Sequence, residues 1–270
     1  MFHLPAGPWP SSVDQLRQRL ADGLQPLLVA PERLSILGQW PVLSRLALDL
    51  GEARADLAQT FVRPKPAVER QAGPTCRELR IWAAPLRLGD FAKPHIDLRA
   101  TDLQFEFVRD EAGHHWLLPI KAGLSSVKAR IAKSELDQLF TEVARRLAKA
   151  QGFTVDDVTL SLEPAGPNAI KLEAEIGARK AFLKGEFRVA GIAQFDPSLN
   201  VQLRSLKCEG IGPIGAIAAR AIQPHLDRLG GIPLRPLGSL LSGFTLEQLE
   251  LKHGDGETLE IDASISASPR

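Results

Sequence analysis

The chain has 270 residues, enough for one large domain or two small ones, and 44% of them are hydrophobic, which suffices for an ordinary core. Its 33 basic and 32 acidic residues leave a net charge of +1, so the bulk charge gives no attraction to nucleic acid and no such partner is predicted. Cys76 and Cys208 are too few for a disulfide framework or a cysteine-based zinc site, and two free thiols are expected.

The first predicted element is a helix in the N-terminal segment 1–30. Ser12 and Gln15 have the spacing of a capping box, and apolar residues behind them repeat at helical intervals. The first ten residues contain three prolines and no cation before an apolar run, which does not resemble a signal peptide. No later segment approaches the roughly 18 apolar residues of a membrane span. We therefore expect a cytoplasmic protein that is at most peripheral to a membrane.

Three long runs of alternating apolar residues follow, and each changes parity once. They cover residues 46–57, 79–88 and 96–107. A change of parity inside a strand indicates a bulge or a sharp bend, because side chains of one strand otherwise alternate strictly between its two faces. Three such strands predict a strongly curved antiparallel sheet.

A strand that runs straight into an amphipathic helix then occurs twice. The first copy is residues 127–133 followed by a helix over 134–150, and the second is residues 199–208 followed by a helix over 213–229. Helices in a strand-rich chain must bury their apolar stripes against a sheet. The predicted fold class is therefore α+β, with a long, highly curved antiparallel sheet wrapped around amphipathic helices in a single domain, 1–270.

A glycine pattern, G-x-G-x-x-G, occupies residues 210–215, between a predicted strand and a predicted helix. This is part of the context of a dinucleotide site. The site also needs a parallel strand ending in an acidic residue about 20 positions later, and here that position falls in the sequence Gly-Gly-Ile-Pro at 230–233. Pro213 as the first helical residue explains the spacing as an ordinary strand-to-helix turn.

Other chemical motifs are missing from the sequence. His114 and His115 are adjacent on a predicted strand and therefore point to opposite faces, and no histidine pair has the spacing of a metal site. Neither G-x-S-x-G nor a P-loop occurs. We predict no metal, no cofactor and no enzymatic activity, with a hydrolase built on an unrecognised acid–base pair as the less favoured alternative.

Basic residues form two modest groups. One combines Lys128 and Arg130 with Arg145, Arg146 and Lys149 of the helix predicted over 134–150. The other consists of Arg179, Lys180 and Lys184. Charged residues in such numbers are typical of a solvated outer face. The functional alternative is attraction to anionic lipid head groups, worth about 1 kcal/mol per cation near a membrane.

The segment from Ser125 to Leu147 resembles a hallmark of the LmeA-like phospholipid-binding family, in which an alternating strand runs into a helix capped by Ser, Thr or Asp. Residues 232–251 are similar to the end of that family, with an apolar, proline-containing linker before a strand. The resemblance covers roughly residues 31–266 in element order. It implies the tubular lipid-binding (TULIP) fold, in which a curved antiparallel sheet wraps a long helix and a lipid lies between them. The helix near residues 12–24 is not part of the hallmark.

The predicted function is accordingly a lipid-binding or lipid-transfer protein without enzymatic activity. Its partners would be a phospholipid or similar amphiphile and, transiently, a membrane surface; a structural or interaction module without a ligand is the alternative. The residues predicted to contact acyl chains are Phe105, Leu139, Phe140, Val143, Leu147, Phe187, Ile217 and Ala221. Each of these could instead be ordinary core. Small residues in the second helix indicate room for a ligand or close packing on the sheet.

Overall fold

The computed structural model describes residues 2–267 except for 25–32, 56–65, 89–92, 150–151, 153, 181–182, 198–199, 230–232, 235–243 and 254–256. This part of the chain contains three helices, α1 (Val13–Leu24), α2 (Lys133–Lys149) and α3 (Gly212–Leu229). The strands are β1 (Phe2–Leu4), β2 (Leu34–Gln39), β3 (Val42–Asp49), β4 (Arg54–Ala55), β5 (Ala67–Ala83), β6 (Arg87–Leu88), β7 (His95–Asp110), β8 (His115–Lys121), β9 (Ser125–Ala132), β10 (Thr154–Gly166), β11 (Ala169–Lys180), β12 (Leu183–Phe195), β13 (Val201–Ile211), β14 (Pro233–Leu234), β15 (Phe244–His253) and β16 (Thr258–Ala267).

These strands form two large sheets and one small pair. The first sheet has the order β15-β16-β9-β7-β5-β3-β2, with β8 paired to β7 and β1 paired to β8. The second has the order β10-β11-β12-β13-β14 and is antiparallel throughout its described pairs. The α+β class is confirmed. The expectation that all pairing is antiparallel is wrong, because β3 and β5 run parallel and make the first sheet mixed.

The third parity change is a real bend inside one strand. Asp102 has a φ of 50°, and β7 changes partner around it. Residues before the bend pair with β9, from His95 to Ala100, and residues after it pair with β8, from Gln104 to Arg109. The bend keeps apolar side chains from both halves of β7 in the same core, as the sequence pattern predicted.

The first two parity changes have a different cause, so the prediction of a bulge inside a long strand is wrong for them. β3 ends at Asp49, whose Oδ1 accepts the N–H of Gly51 at 2.7 Å in a tight turn. β5 similarly ends at Ala83. Beyond each turn lies a two-residue strand, and these two strands, β4 and β6, pair with one another in parallel. The three prolines within residues 63–74 predict a loop, but the structure places 67–74 in β5.

Helix α1 begins as the capping box predicted. The Ser12 hydroxyl accepts the N–H of Gln15 at 3.2 Å, and the Gln15 side chain accepts the N–H of Ser11 at 2.8 Å rather than that of Ser12. The buried face of α1 packs on β1 and β2 and enters the core of the first sheet. Its buried residues are Leu16, Leu20 and Leu24.

The two later helices follow the predicted units closely. α2 begins at Lys133, one residue before the predicted cap, and α3 begins at Gly212, one residue before Pro213. The position of Gly152 after the helix predicted over 134–150 predicts a glycine C-cap. In the structure Gly152 has a φ of 73° and donates its N–H to the carbonyl of Lys149 at 3.1 Å, which confirms it. The predicted Gly254-Asp255-Gly256 turn lies outside the described residues, and the single domain 1–270 stays a prediction.

Candidate functional site

The second sheet has one charged face and one apolar face. On the charged face Arg188 forms ion pairs with Glu175 at 2.6 Å and Glu173 at 3.0 Å, so cations there are neutralised across neighbouring strands. The apolar face carries a group that we call the helix-covered cluster. Its buried members are Val155, Val158, Ala178 and Phe187, and the partly buried residues packed on them are Ala144, Ala148, Ala174, Ile176, Val189, Cys208 and Ile222.

Helix α2 lies along the edge strand β10 and hydrogen-bonds to its backbone. The side chains responsible, Asp137, Thr141 and Arg145, recur every four residues and so lie on one side of the helix. Their partners are the N–H of Leu160 at 2.8 Å, the N–H of Val158 at 3.1 Å, and the carbonyls of Val155 at 3.1 Å and Asp156 at 2.8 Å. These bonds occupy the free edge of β10, which would otherwise be open to another strand.

Helix α3 also hydrogen-bonds to the backbone of a strand, at the other side of the sheet, through a single residue. The Gln223 side chain accepts the N–H of Cys208 at 2.7 Å and donates to the carbonyl of Leu206 at 3.1 Å. Both groups belong to β13 and point away from β12. The two helices therefore lie near opposite edges of the second sheet, on its apolar face.

The glycine pattern is explained by the contact between α3 and the strands beneath it. A Cβ on Gly215 would lie 2.3 Å from the carbonyl oxygen of Glu186, and a Cβ on Gly210 would lie 2.0 Å from the backbone of Gly215. Gly212, at the turn, has a φ of 75°. β13 is antiparallel to its described partners, unlike the strand of a dinucleotide site. Close packing therefore accounts for Gly210 and Gly215, and the positive φ of the turn accounts for Gly212.

The two helices flank β11, and we call the strip of its apolar face between them the groove. α2 packs on β10, and α3 packs on β12 and β13, so β11 lies between them. Its floor residues Ala174 and Ile176 are partly exposed, as is Val189 beside them on β12. On the α2 side, Phe140 lies one helical turn from Ala144 and is nevertheless 38% exposed. The arrangement offers an elongated apolar surface that a narrow apolar ligand can cover.

One end of the groove is closed by the first sheet. A third apolar cluster joins Ile170 of β11 to Leu251 of β15 and Leu259 of β16. The N–H of Leu249 donates to the Asn168 side chain at 2.8 Å at the same junction. The helix-covered cluster, by contrast, contains no described residue of the first sheet. An occupant of the groove would therefore lie along the helices and stop at β15.

The groove offers little chemistry besides apolar contact. Among the described residues of the helix-covered cluster, the titratable one is Cys208, whose pKa is raised to about 11 by burial and then by the nearby Glu209. The thiol is therefore protonated at neutral pH and is a poor nucleophile. Burial also raises the pKa of the Cys76 thiol, in the core of the first sheet, and both cysteines are free as expected.

The residues predicted to contact acyl chains do not share one interior. Phe187 belongs to the helix-covered cluster, Phe105 is fully buried in the separate core of the first sheet, and Leu139 is partly buried on α2. Phe140 is exposed beside the groove, whereas Ile217, on the side of α3 away from the sheet, is 67% exposed. The side chains of the other three predicted contacts, Val143, Leu147 and Ala221, lie outside the described part of the structure.

The floor residues Ala174, Ile176 and Val189 were missed by sequence reasoning. Their alternation marks one face of two strands, and that signal was available. The sequence did not show which strand lies between the helices, because the positions of the helices depend on polar contacts such as that of Thr141 with the edge of β10.

Three cations of the first predicted basic group are paired with carboxylates in the structure. Lys128 lies 3.9 Å from Asp262, and Arg130 lies 2.9 Å from Glu260, both across the β9–β16 pair. Arg145 pairs with Glu142 at 3.0 Å. This pattern agrees with a solvated outer face for these residues.

Histidines and tryptophans form a second cluster where β1 pairs with β8. The His3 ring lies 5.0 Å from Trp116 and 5.9 Å from His114 between ring centroids, and His115 lies 4.5 Å from Trp9. His114 and His115 thus have different neighbours, as expected for adjacent residues of a strand. Among the described residues, no three His, Cys, Asp or Glu side chains are grouped as metal ligands.

Burial sets the protonation of this cluster. It lowers the pKa of His3, with a further lowering by His114 and an opposing effect of Asp110. Burial also lowers the pKa of His115, and the positive charge of Arg19 lowers it further because it disfavours protonation of the ring. Both shifts favour the neutral form of the rings.

A comparison with known protein families, with curated proteins and with solved structures finds no match for this chain. Within the described ranges, no helix has both the length and the apolar character needed to cross a bilayer.

Proposed function

We propose that this protein binds a phospholipid or a similar amphiphile, without enzymatic activity, and holds an acyl chain in the groove between α2 and α3. The observation that carries the proposal is the partly exposed apolar floor, Ala174 and Ile176, between two helices that lie at opposite edges of one sheet. Covering apolar surface is worth about 25 cal/mol per Å², so a chain of methylene groups along this floor would bind favourably.

The small side chains beside the floor support the same proposal. Ala144 and Ala148 are the α2 residues of the helix-covered cluster, and Ile222 is the described α3 residue in it. Alanines project little from the helix, so they leave the apolar face of β11 accessible to a linear hydrocarbon between the helices. The sealed edge of β10 argues against the alternative of a module that binds peptides by strand addition, at least at this edge.

The proposal includes a TULIP-like arrangement for the second sheet and its helices. Register shifts occur between Val155 and Asp157, between Pro164 and Gly166, and between Ala190 and Ile192. Such irregularities bend strands and increase their twist, which supports a sheet that curves around the helices. The resemblance of residues 125–147 to LmeA-like proteins supports the same arrangement.

Lipid analysis of the purified protein tests the proposal. Native mass spectrometry should show a bound amphiphile at up to one per chain, and solvent extraction followed by mass spectrometry should identify it. A sample that emerges without lipid should take up a fluorescent fatty acid from solution. Protein that carries no lipid and takes up no fatty acid would overturn the proposal and favour a module without a ligand.

A further inference from the structure

The outer surface of the helix pair differs from the rest of the second sheet. Ile217, on the side of α3 opposite the sheet, is 67% exposed, and Phe140 of α2 is exposed at the lip of the groove. Two exposed cations, Arg220 and Arg228, belong to α3. We call these four residues the helix-layer surface.

The cations of this surface lack the partners that cations elsewhere on the sheet have. On the opposite face of the sheet Arg188 and Lys171 are both paired with carboxylates. Among the described residues, Arg220 and Arg228 form no ion pair. Together α2 and α3 carry six cations and four carboxylates in their sequences, so the helix layer is net positive although the chain is nearly neutral.

The groove runs between these same helices. Its floor lies on the sheet, so the gap opens toward the side that Ile217 and Phe140 occupy. An acyl chain leaving a bilayer pressed against the helices would reach the floor without crossing water. Exposed apolar side chains beside unpaired cations are the combination by which peripheral proteins bind anionic membranes.

We propose that the helix-layer surface docks on a bilayer that contains anionic phospholipid, with Ile217 inserted among the head groups and Arg220 and Arg228 beside the phosphates. This proposal rests on the proposed lipid-binding function, since it assigns the face through which a lipid enters. Docking on the bilayer and uptake of a lipid can be tested separately, because Ile217 and both arginines lie outside the groove.

Flotation with two kinds of vesicle tests the docking. One kind is phosphatidylcholine alone, and the other is phosphatidylcholine with phosphatidylglycerol in equal parts. We expect the protein to bind the anionic vesicles more tightly, and to lose that preference at high salt. Ile217→Ser should lower the partition coefficient about tenfold, since an isoleucine side chain loses its transfer into the apolar phase. Arg220→Gln with Arg228→Gln should lower it roughly 25-fold, at about fivefold for each cation.

Matched controls lie on other surfaces. Leu124→Ser removes an apolar side chain that is 87% exposed near the first sheet, and Lys207→Gln removes an exposed cation from the opposite face of the second sheet. Both should bind vesicles like the parent protein. All variants should take up a monomeric fluorescent fatty acid normally, because the groove is intact.

The two proposals fail in different ways. Fatty-acid uptake without vesicle binding, or vesicle binding that the Ile217 and arginine variants do not weaken, would overturn the docking face and leave lipid binding standing. The docking face would also be overturned if Leu124→Ser or Lys207→Gln lost as much vesicle binding as the Ile217 and arginine variants. Vesicle binding that follows the expected pattern without any uptake would support docking and overturn the groove.

Discussion

An alanine pair on one strand offers a direct test of the groove. Ala174 and Ala178 lie on the same face of β11, but Ala178 is only 7% exposed whereas Ala174 is partly exposed between the helices. Ala178→Phe should overpack the helix-covered cluster and lower the free energy of unfolding by about 1–3 kcal/mol. For a chain of this size that corresponds to a melting temperature lower by roughly 2–12 °C.

Ala174→Phe should behave differently because its ring has room. We expect a change in the free energy of unfolding within about 0.5 kcal/mol, as at a surface position. The ring would occupy the floor of the groove, so uptake of a fluorescent fatty acid should fall. Thermal melting and uptake measured on both variants give the comparison. If Ala174→Phe melts as early as Ala178→Phe, the space between the helices is packed core and the groove is refuted.

Three further predictions concern the contacts that hold the fold. Asp137→Ala should lower the free energy of unfolding in urea by about 1–3 kcal/mol, because the N–H of Leu160 loses its 2.8 Å partner; an unchanged midpoint would contradict the sealing of the β10 edge. Gly215→Ala should destabilise the protein, although alanine normally favours a helix by about 1 kcal/mol, because its Cβ would lie 2.3 Å from a backbone oxygen; stabilisation would show that the contact yields. Burial lowers the pKa values of His3 and His115 below 6.5, so the unfolded chain binds more protons than the folded chain as the pH falls. The melting temperature should therefore fall as the pH drops from 6.5 through the lowered pKa values. Replacing both histidines with Gln should flatten that dependence, and an unaltered slope would exclude them as its source.

Local features were predictable where neighbouring residues decide them. The capping by Ser12, the starts of α2 and α3 within one residue, and the C-cap at Gly152 all depend on short stretches of sequence. The bend at Asp102 was also visible, because a buried strand that changes partner must shift its apolar residues from one parity to the other.

Pairing between distant segments was less accessible. The runs at 46–57 and 79–88 have the same alternation as a bent strand, yet both contain a turn and a second short strand. Alternation shows which residues face a core. A turn after which the chain still faces the same core therefore cannot be recognised from the alternation. The parallel pairing of β3 with β5 likewise depends on how the intervening chain crosses, which periodicity does not encode.

The candidate site arises from a difference between two units that look alike in sequence. α3 folds back over its own strand β13, whereas α2 leaves β9 in the first sheet and packs on β10 in the second. Asp137, Thr141 and Arg145 hold α2 at the edge of β10 by binding its backbone. A purely apolar helix would cover more of its surface by lying over the centre of the sheet, above Ile176. The polar row beside the apolar stripe of α2 thus holds this helix at the edge of β10, where the backbone from Val155 to Leu160 is bonded by side chains rather than by another strand.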